Sequence, residues 1–275
     1  MEITFQALVM GIVQGLTEFL PVSSSGHLVI VPALLGWTDP FINSLAFSVM
    51  LHLGTLVALL VYFRSDWLAI VPAGIAALRE RSFGTDPNRR LAWLLLVSTI
   101  PAVIAGPILN DRLEAAVRTA DDVAVALVIG AAILWLADRV GRKVDGLEKI
   151  TFPLAFVFGL AQSIALVPGI SRAGITISAG LFAGLTREAA ARFSFLMATP
   201  IIAGAGIFEA RNLLSGDAGV PIQVGPLLVG MVAAVVAGLA AIALMLRYVR
   251  TRSYAIFVAE RVVIAVIVLV VFLSR

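Results

Sequence analysis

Two short polar segments interrupt an otherwise apolar chain, and both carry side chains suited to phosphate chemistry. The first, residues 14–27, places the carboxylate of Glu18, three serine hydroxyls (Ser23 to Ser25) and the imidazole of His27 within fourteen residues. A carboxylate or an imidazole can transfer a proton, and a serine or a histidine can attack phosphorus. We interpret this segment as half of an active site. The alternatives are a capped turn and a carboxylate in water at the mouth of the segment.

The spacing around Glu18 predicts a polar helix face, which is followed by the start of a second helix at the serines. Gln14 precedes Glu18 by one helical turn, so the two side chains share a face. A carboxylate at the bilayer centre costs about 2.5 to 3.5 kcal/mol or more, and intramembrane acids are usually functional. The serines around Ser24 follow Pro21 and precede an apolar run. A serine N-cap, free backbone N–H groups and the positive end of the helix dipole together form an anion site.

The second polar segment, residues 168–176, contains an arginine inside a break in an apolar region. Its sequence is Pro-Gly-Ile-Ser-Arg-Ala-Gly-Ile-Thr, and Arg172 is its charged residue. A buried guanidinium needs an anion, and its planar fork matches a phosphate group. With the first segment it predicts a phosphate cradle made of a cation, helix N-termini, hydroxyls, an acid and an imidazole. The alternative is a structural salt bridge between Arg172 and Glu18, which also describes an enzyme without substrate.

The second histidine and the other charges near the membrane edges are interpreted as structural. His52 stands alone in an apolar run, where a histidine is more often part of the packing than of a site. The neighbours Asp138 with Arg139 and Glu260 with Arg261 fall at predicted helix ends, where long side chains reach the interface. We expect no chemistry from these residues.

The elements that hold the polar segments are predicted to lie in a membrane. The 275 residues are 60% hydrophobic and 13% charged, with a mean hydropathy of +1.04, whereas a soluble domain carries about 25% charged residues. The net charge of +3 is small and the basic residues are scattered, which argues against nucleic-acid binding. The absence of cysteine excludes disulfides, cysteine–zinc sites and cysteine nucleophiles.

Six apolar runs are each near the ~20 residues needed to cross the hydrocarbon core. Two other regions, 3–36 and 152–184, are broken by proline, glycine and serine, and each half is short. A backbone break at membrane depth is tolerated only where protein buries it or it lines a wet cavity, so we predict two re-entrant helical hairpins. The segment 67–78 is too short to cross and is predicted to lie at the interface. The predicted crossings are 41–63, 91–109, 123–140, 189–210, 227–246 and 256–273.

The two interrupted regions are related by a shift of 148 residues. Each copy contains one hairpin and three crossings, and because three is odd the second copy is inverted. We predict an all-α polytopic membrane protein of about ten helices, a single domain over residues 1–275 with repeats at about 1–141 and 151–275. The alternative is chance matching of glycine and serine. The shift places Gly11 on Gly159, Gln14 on Gln162, Ser23 on Ser171, Gly26 on Gly174 and Gly36 on Gly184.

The basic residues predict the orientation of the chain. With six crossings, fifteen of the 20 lysines and arginines fall on one side and four on the other, with Arg172 inside the second hairpin. The positive-inside rule places the side with fifteen in the cytoplasm. We therefore expect a multi-pass plasma-membrane protein with both termini outside. The first hairpin would open to the outer face, and the second would enter from the cytoplasm.

Both polar segments resemble the signature regions of the bacterial undecaprenyl-diphosphate phosphatases, the bacitracin-resistance family. The first reads Gln-Gly-Leu-Thr-Glu-Phe-Leu-Pro-Val-Ser-Ser-Ser-Gly-His and the second reads Pro-Gly-Ile-Ser-Arg-Ala-Gly-Ile-Thr. The resemblance covers the whole length and the topology. Two positions depart from the family: Ala173 stands where serine is usual, and Gln14 is a variant that leaves a two-carboxylate metal site without its first ligand.

The resemblance implies hydrolysis of undecaprenyl diphosphate to the monophosphate, which recycles the lipid carrier of peptidoglycan synthesis and confers bacitracin resistance. Glu18 would bind metal or act as acid or base. Ser24 or His27 would be the nucleophile, or His27 would protonate or activate a group. A divalent cation, Mg²⁺ or Ca²⁺, would be held largely by substrate oxygens. The residues expected to hold the diphosphate are Gln14, Ser23, Ser25, Gly169, Ser171, Arg172 and Thr176.

A polyprenyl-phosphate carrier or flippase is the alternative function, because inverted repeats with broken helices are also a transporter architecture. The acid, imidazole and hydroxyls at one break favour hydrolysis, since a carrier needs binding groups but no nucleophile. The expected partners are the lipid substrate, the bilayer and a second copy of the chain in a homodimer, with no nucleic acid.

Overall fold

The chain folds into α-helices joined by short connections. The computed structural model describes residues 1–82, 86–116, 120–215 and 220–273, and the side chains of 109–116, 120–121, 209–215 and 272–273 lie outside that description. Within it there are eleven α-helices and no β-strand. The helices are α1 Glu2–Phe19, α2 Ser24–Leu35, α3 Leu45–Tyr62, α4 Arg64–Glu80, α5 Pro87–Ala116, α6 Ala120–Val140, α7 Phe152–Ile164, α8 Arg172–Phe182, α9 Arg187–Ser215, α10 Val224–Val249 and α11 Ala255–Leu273.

The predicted class of multi-pass membrane protein is confirmed. Helices α3, α5, α6, α9 and α10, counted within the described residues, are long and apolar enough to cross a membrane. The sixth predicted crossing, 256–273, coincides with α11, which has 19 residues. The helix beyond the predicted ten is α4, which covers the segment predicted to lie at the interface.

The lateral surface of the bundle is apolar, as a bilayer requires. Along α10, Val232 is 62%, Val236 is 64% and Leu244 is 64% exposed. A surface of this kind is an aggregation hazard in water but matches the lipid tails in a membrane. The interior is closed by aromatic contacts, such as Phe158 against Phe193 with 4.7 Å between ring centroids.

The two interrupted regions form two pairs of short helices, α1 with α2 and α7 with α8. α1 packs along α10, and α7 packs along α5. Each of these contacts has a glycine at the closest approach. A Cβ on Gly11 would lie 2.1 Å from the Gly230 carbonyl oxygen, and one on Gly159 would lie 2.6 Å from the Ser98 carbonyl oxygen. Small residues let helix backbones come together where lipid gives no hydrophobic drive for association.

Asp138 joins three helix ends on the side predicted to be cytoplasmic. It was expected to be a structural charge at a helix end, and its contacts agree: its Oδ1 accepts from Arg187 Nε at 2.6 Å and its Oδ2 from the Tyr254 N–H at 3.1 Å. Burial raises the pKa of the Tyr254 phenol above its ordinary value, and the Asp138 carboxylate adds to this effect. The four basic residues predicted for the opposite side lie outside the described side chains: Arg112, Arg118, Arg211 and Arg275.

Candidate active site

Glu18 lies in the last turn of α1 and is the centre of a polar cluster. Only 6% of the residue is exposed. Gln14 Nε2 donates to Glu18 Oε2 at 3.0 Å, which confirms the predicted shared face. Ser24, the first residue of α2, donates from its Oγ to the same oxygen at 2.5 Å. The carboxylate is therefore in contact with a hydroxyl whose proton it can accept.

The connection between α1 and α2 is the first break, and the connection between α7 and α8 is the second. Arg172, at the second break, contacts the same carboxylate. Its Nη2 donates to Glu18 Oε1, although the two residues are 154 positions apart in sequence. The two polar segments therefore meet. Arg172 Nη1 is buried and has no hydrogen-bond partner among the described residues. One edge of the guanidinium is thus available to an anion.

The same backbone geometry opens α2 and α8. Ser23 and Ser171 are the N-caps, with φ of 77° and 71°, in a region that residues other than glycine seldom adopt. Each hydroxyl accepts from a glycine N–H three residues later, at 3.4 Å from Gly26 and 3.1 Å from Gly174. The cap predicted for the first break is confirmed. The residue that follows each cap, Ser24 or Arg172, contacts the Glu18 carboxylate.

His27, in the first turn of α2, is held at both ring nitrogens. Nδ1 lies 2.8 Å from the Ser23 carbonyl oxygen, and Nε2 lies 3.0 Å from Glu260 Oε1 of α11. His27 is buried, whereas Ser24 is partly exposed. In this arrangement the serine is the more accessible of the two predicted nucleophiles.

His52 belongs to the cluster, which corrects its interpretation as a packing residue. α3 brings its Nε2 to 3.4 Å from Glu18 Oε2. Its Nδ1 lies 2.8 Å from the Ser48 carbonyl oxygen one turn earlier, so Nδ1 carries a hydrogen. The sequence does contain a signal for His52, because a histidine inside an apolar run raises the same question of desolvation as Glu18. It lacks only a polar neighbour along the chain.

Arg261 of α11 is fully buried, with 0% exposure. Its Nη2 donates to the carbonyl oxygens of Gly169 at 2.9 Å and Ile170 at 2.8 Å in the second break. Its Nη1 donates to the Pro21 carbonyl oxygen at 3.5 Å in the first break. One guanidinium therefore ties the two breaks together.

Glu260 and Arg261 were expected at a helix end with side chains that reach the interface, and the complete burial of Arg261 shows that this expectation is wrong. α11 begins at Ala255, so position 261 lies about 9 Å inside the helix at 1.5 Å per residue. Successive helical residues are also about 100° apart around the axis. Glu260 consequently reaches His27, while Arg261 reaches the backbone of the breaks.

The remaining residues predicted to hold the diphosphate differ in accessibility. Thr176 is fully buried, and its hydroxyl donates to the Arg172 carbonyl oxygen at 2.7 Å and lies 2.6 Å from Ser194 Oγ. Gly169 has φ 96°, and its carbonyl oxygen accepts a hydrogen bond from Arg261. Thr176 and Gly169 therefore shape the second break. Ser25 is partly exposed, like Ser24 before it.

The acidic and imidazole groups do not form a metal site by themselves. In the part of the chain that the structure describes, no group of three or more aspartate, glutamate or histidine side chains is placed to hold an ion. Gln14 stands one turn before Glu18, and both Glu18 oxygens are already engaged by donors. The residues present do not fit a cation held by the protein alone.

The cluster as a whole can bind a phosphate group and activate a nucleophile. Arg172 and the N-termini of α2 and α8 supply positive charge and N–H donors at one place. Ser24 supplies a hydroxyl that is already bonded to a carboxylate. This is the donor set that phosphoryl transfer needs, because its charge spreads over the phosphoryl oxygens.

Sequence comparisons place the chain among known proteins. The family described as "Bacitracin resistance protein BacA" matches residues 7–267. The undecaprenyl-diphosphatase of Desulforudis audaxviator is 46% identical over 271 residues, 98% of each chain. That of Pelobacter propionicus is 45% identical over 259 residues, 94% of this chain and 93% of the relative. That of a Nocardioides species is 42% identical over 265 residues, 96% and 95% of the two chains. The protein belongs to the bacitracin resistance protein BacA family.

Proposed function

We propose that the protein is an undecaprenyl-diphosphatase, which hydrolyses undecaprenyl diphosphate to undecaprenyl phosphate and inorganic phosphate. The reaction returns the lipid carrier to peptidoglycan synthesis and confers resistance to bacitracin. The relatives are named for this activity. The observation that carries the proposal is the meeting of Ser24 and Arg172 on the Glu18 carboxylate. Nothing in the family match favours the alternative of a lipid carrier.

The Glu18–Arg172 ion pair is the resting state of the site. A diphosphate carries more negative charge than a carboxylate and suits the planar fork of arginine, so it competes with Glu18 for Arg172. Arg172 Nη1, which is buried and has no partner among the described residues, is a donor that the substrate can take once the guanidinium moves. Once the guanidinium turns to the phosphate, Glu18 is free to accept the proton of Ser24.

Ser24 is the nucleophile that the geometry favours over His27, because both nitrogens of His27 are already bonded. In the first step Ser24 Oγ bonds to the terminal phosphorus, and its proton passes through Glu18 to the bridging oxygen. The bond between that oxygen and the terminal phosphorus breaks, and undecaprenyl phosphate leaves. In the second step water attacks the phosphoserine while Glu18 accepts a proton from it. Glu18 returns this proton to Ser24 Oγ as inorganic phosphate departs.

Fixed positive groups meet the charge of the transferred phosphoryl group. Arg172 and the N-termini of α2 and α8 would face the bound phosphate, and the buried guanidinium of Arg261 contacts the backbone of both breaks. Donors that are oriented before the reaction usually stabilise the transition state of such reactions more than any other single factor does.

A divalent cation enters the proposal only as a substrate-bound ion. With one carboxylate in the cluster, the ligands of Mg²⁺ or Ca²⁺ would be diphosphate oxygens and water, joined by Glu18. The proton transfers described for Ser24 and Glu18 do not pass through this ion.

The architecture proposed for the chain is a single domain built from two inverted repeats, at about 1–141 and 151–275, each with a re-entrant hairpin and three crossings. Packing supports it: α1 of the first half lies on α10 of the second, and α7 of the second half lies on α5 of the first. Each hairpin therefore packs against the opposite half.

Residues related by the 148-residue shift share unusual backbone geometry, which also supports the repeat. Ser23 and Ser171 both have positive φ and both cap a helix. Gly36 and Gly184 follow the second helix of each pair, and both have positive φ, at 67° and 95°. Paired backbone conformations of this kind favour a repeat over chance matching of glycine and serine in the sequence.

The site is proposed to open to the outer face of the plasma membrane, with both termini outside. The support is the distribution of lysine and arginine along the sequence. The polyprenyl chain would lie along the apolar lateral surface while the diphosphate reaches the two breaks. A homodimer in the membrane is part of the same proposal.

Phosphate release by purified protein in detergent, with a polyprenyl diphosphate as substrate, tests the function. Ser24→Ala is expected to lower turnover by about 10³-fold or more, because the nucleophile is lost. Ser253→Ala, outside the cluster, is the matched control and should retain activity. Acid-quenched reaction with substrate labelled in its terminal phosphate should place the label on Ser24.

Acid stability separates the two candidate nucleophiles, because a phosphoserine survives acid and a phosphohistidine does not. Label that an acid quench removes, but that an alkaline quench retains on His27, would overturn the assignment of Ser24 but not the hydrolysis. If the protein releases no phosphate yet moves labelled lipid phosphate across liposomes, the carrier alternative holds.

A further inference from the structure

The environment of His27 determines where its hydrogens lie. Nδ1 is 2.8 Å from the Ser23 carbonyl oxygen, which can only accept, so Nδ1 carries a hydrogen. Nε2 is 3.0 Å from Glu260 Oε1. An ionised carboxylate also only accepts, so Nε2 must then carry a second hydrogen. With an ionised Glu260 the ring is a cation.

The charges beside His27 favour an ionised Glu260. Glu260, which contacts the ring, is followed in α11 by the charged residue Arg261. Arg261 is fully buried, and its hydrogen bonds go to neutral carbonyl oxygens. Glu260 is the residue that precedes this buried guanidinium in α11. A neutral Glu260 would leave a buried cation without a nearby negative charge, which is costly.

Among the described residues, the hydrogen bonds of the Glu260 side chain connect it to the cluster only through His27. Among the side chains that the structure describes, its one hydrogen bond is to His27. Its second oxygen, Oε2, is buried and has no hydrogen-bond partner there. The hydrogen-bonded route from Glu260 to the turn that carries Ser24 therefore passes through the imidazole.

We infer that Glu260 is a positioning residue that holds His27 as an imidazolium in the turn that carries Ser24. The inference rests on the proposed function, because it gives Glu260 a part in that reaction. Neither nitrogen of an imidazolium has a free lone pair, so His27 in this state cannot attack phosphorus. It supplies positive charge next to the turn that carries Ser24 instead. With Glu260 in place, Ser24 acts as the nucleophile and His27 supplies positive charge.

Nitrogen NMR can read the protonation of His27 directly, because the chain contains only two histidines. In a His52→Gln background, protein labelled at histidine reports His27 alone. Near neutral pH both ring nitrogens are expected to be protonated. Adding Glu260→Gln should produce the signal of one unprotonated ring nitrogen. An unprotonated nitrogen while Glu260 is intact overturns the inference, and this measurement stands even where Glu260→Gln does not fold.

Kinetics test whether Glu260 acts through His27. Glu260→Gln is expected to lower kcat by about 10- to 100-fold, the range found for carboxylate partners of metal-bound histidines, with little change in KM. In a His27→Ala background the same substitution should change kcat by less than about 2-fold, because its route of action is gone. Glu148→Gln, at an exposed residue of the short 3₁₀ helix Leu147–Lys149, is the matched control and should retain full activity.

The outcomes separate the two proposals. Equal losses from Glu260→Gln in both backgrounds, or no loss in either, overturn the positioning role. Failure of the unsubstituted protein to release phosphate refutes the proposed function instead, and the NMR result on His27 is independent of that failure.

Discussion

At the first break a serine follows the cap residue Ser23, and at the second break an arginine follows the cap residue Ser171. The caps have nearly the same φ, 77° and 71°. Both following residues reach the same carboxylate, Ser24 at Oε2 and Arg172 at Oε1 of Glu18. One backbone arrangement thus delivers a hydroxyl from one side and a cation from the other.

The difference between the breaks extends to the preceding helical turn. Gln14 donates to Glu18, whereas Gln162, its counterpart after 148 residues, has both polar side-chain atoms buried without a partner in the described part of the chain. The position that corresponds to Glu18 is Leu166. The caps depend on a serine and a glycine and recur in both breaks, but the acid occurs once. The two breaks therefore share a cap geometry but not the acid.

Cutting the link between the breaks should have the largest effect. Arg172→Ala and Glu18→Ala are each expected to lower phosphate release by about 10³-fold or more, since one removes the countercharge of the phosphate and the other removes the base. The assay is turnover of a polyprenyl diphosphate in detergent, with folding checked by thermal unfolding. Arg142→Ala, which removes an exposed arginine paired with Asp145, is the matched control. Turnover like that of the wild type in both variants would refute the site.

His52 tests how much of the site comes from outside the breaks, because it reaches Glu18 from the crossing helix α3. His52→Gln keeps a hydrogen-bonding side chain but cannot become a cation. We expect kcat to fall by about 10-fold, the effect of weakening one hydrogen bond to a charged group. Unchanged kcat with a lowered unfolding temperature would return His52 to a packing role.

The two glutamines should respond in opposite directions, and this is the smallest expected effect. Gln162→Leu removes a buried amide that has no partner in the described structure and should stabilise the protein by about 1 kcal/mol without loss of turnover. Gln14→Leu removes a donor to Glu18 and should lower both stability and turnover. Thermal unfolding and phosphate release, measured side by side, check the contrast. Destabilisation by Gln162→Leu would show that its amide is paired.

Features decided by local physics were predictable from the sequence. Bilayer thickness imposes the length of the apolar runs, and these runs correspond to the helices found. The one-turn spacing of Gln14 and Glu18 predicts their hydrogen bond, and the serine run predicts the cap at Ser23. Each of these depends on residues within a few positions of one another.

Features decided by helix packing were not predictable in the same way. His52 and Glu260 come to the two polar segments from α3 and α11, and no pattern near them in sequence indicates which helices will be neighbours. The adjacency of Glu260 and Arg261 even suggests a mutual pair. The helix separates them instead, because successive side chains project about 100° apart.

Arg261 holds the two breaks together in the protein without substrate. Its guanidinium binds carbonyl oxygens of both breaks, and drawing the breaks apart would leave a fully buried cation without acceptors. The two breaks therefore have a fixed relative position before any lipid binds. The entropy of bringing them together is lost once, during folding, and not again at each turnover. Such an enzyme can act on a scarce membrane lipid at first encounter, because its site does not have to assemble around the substrate.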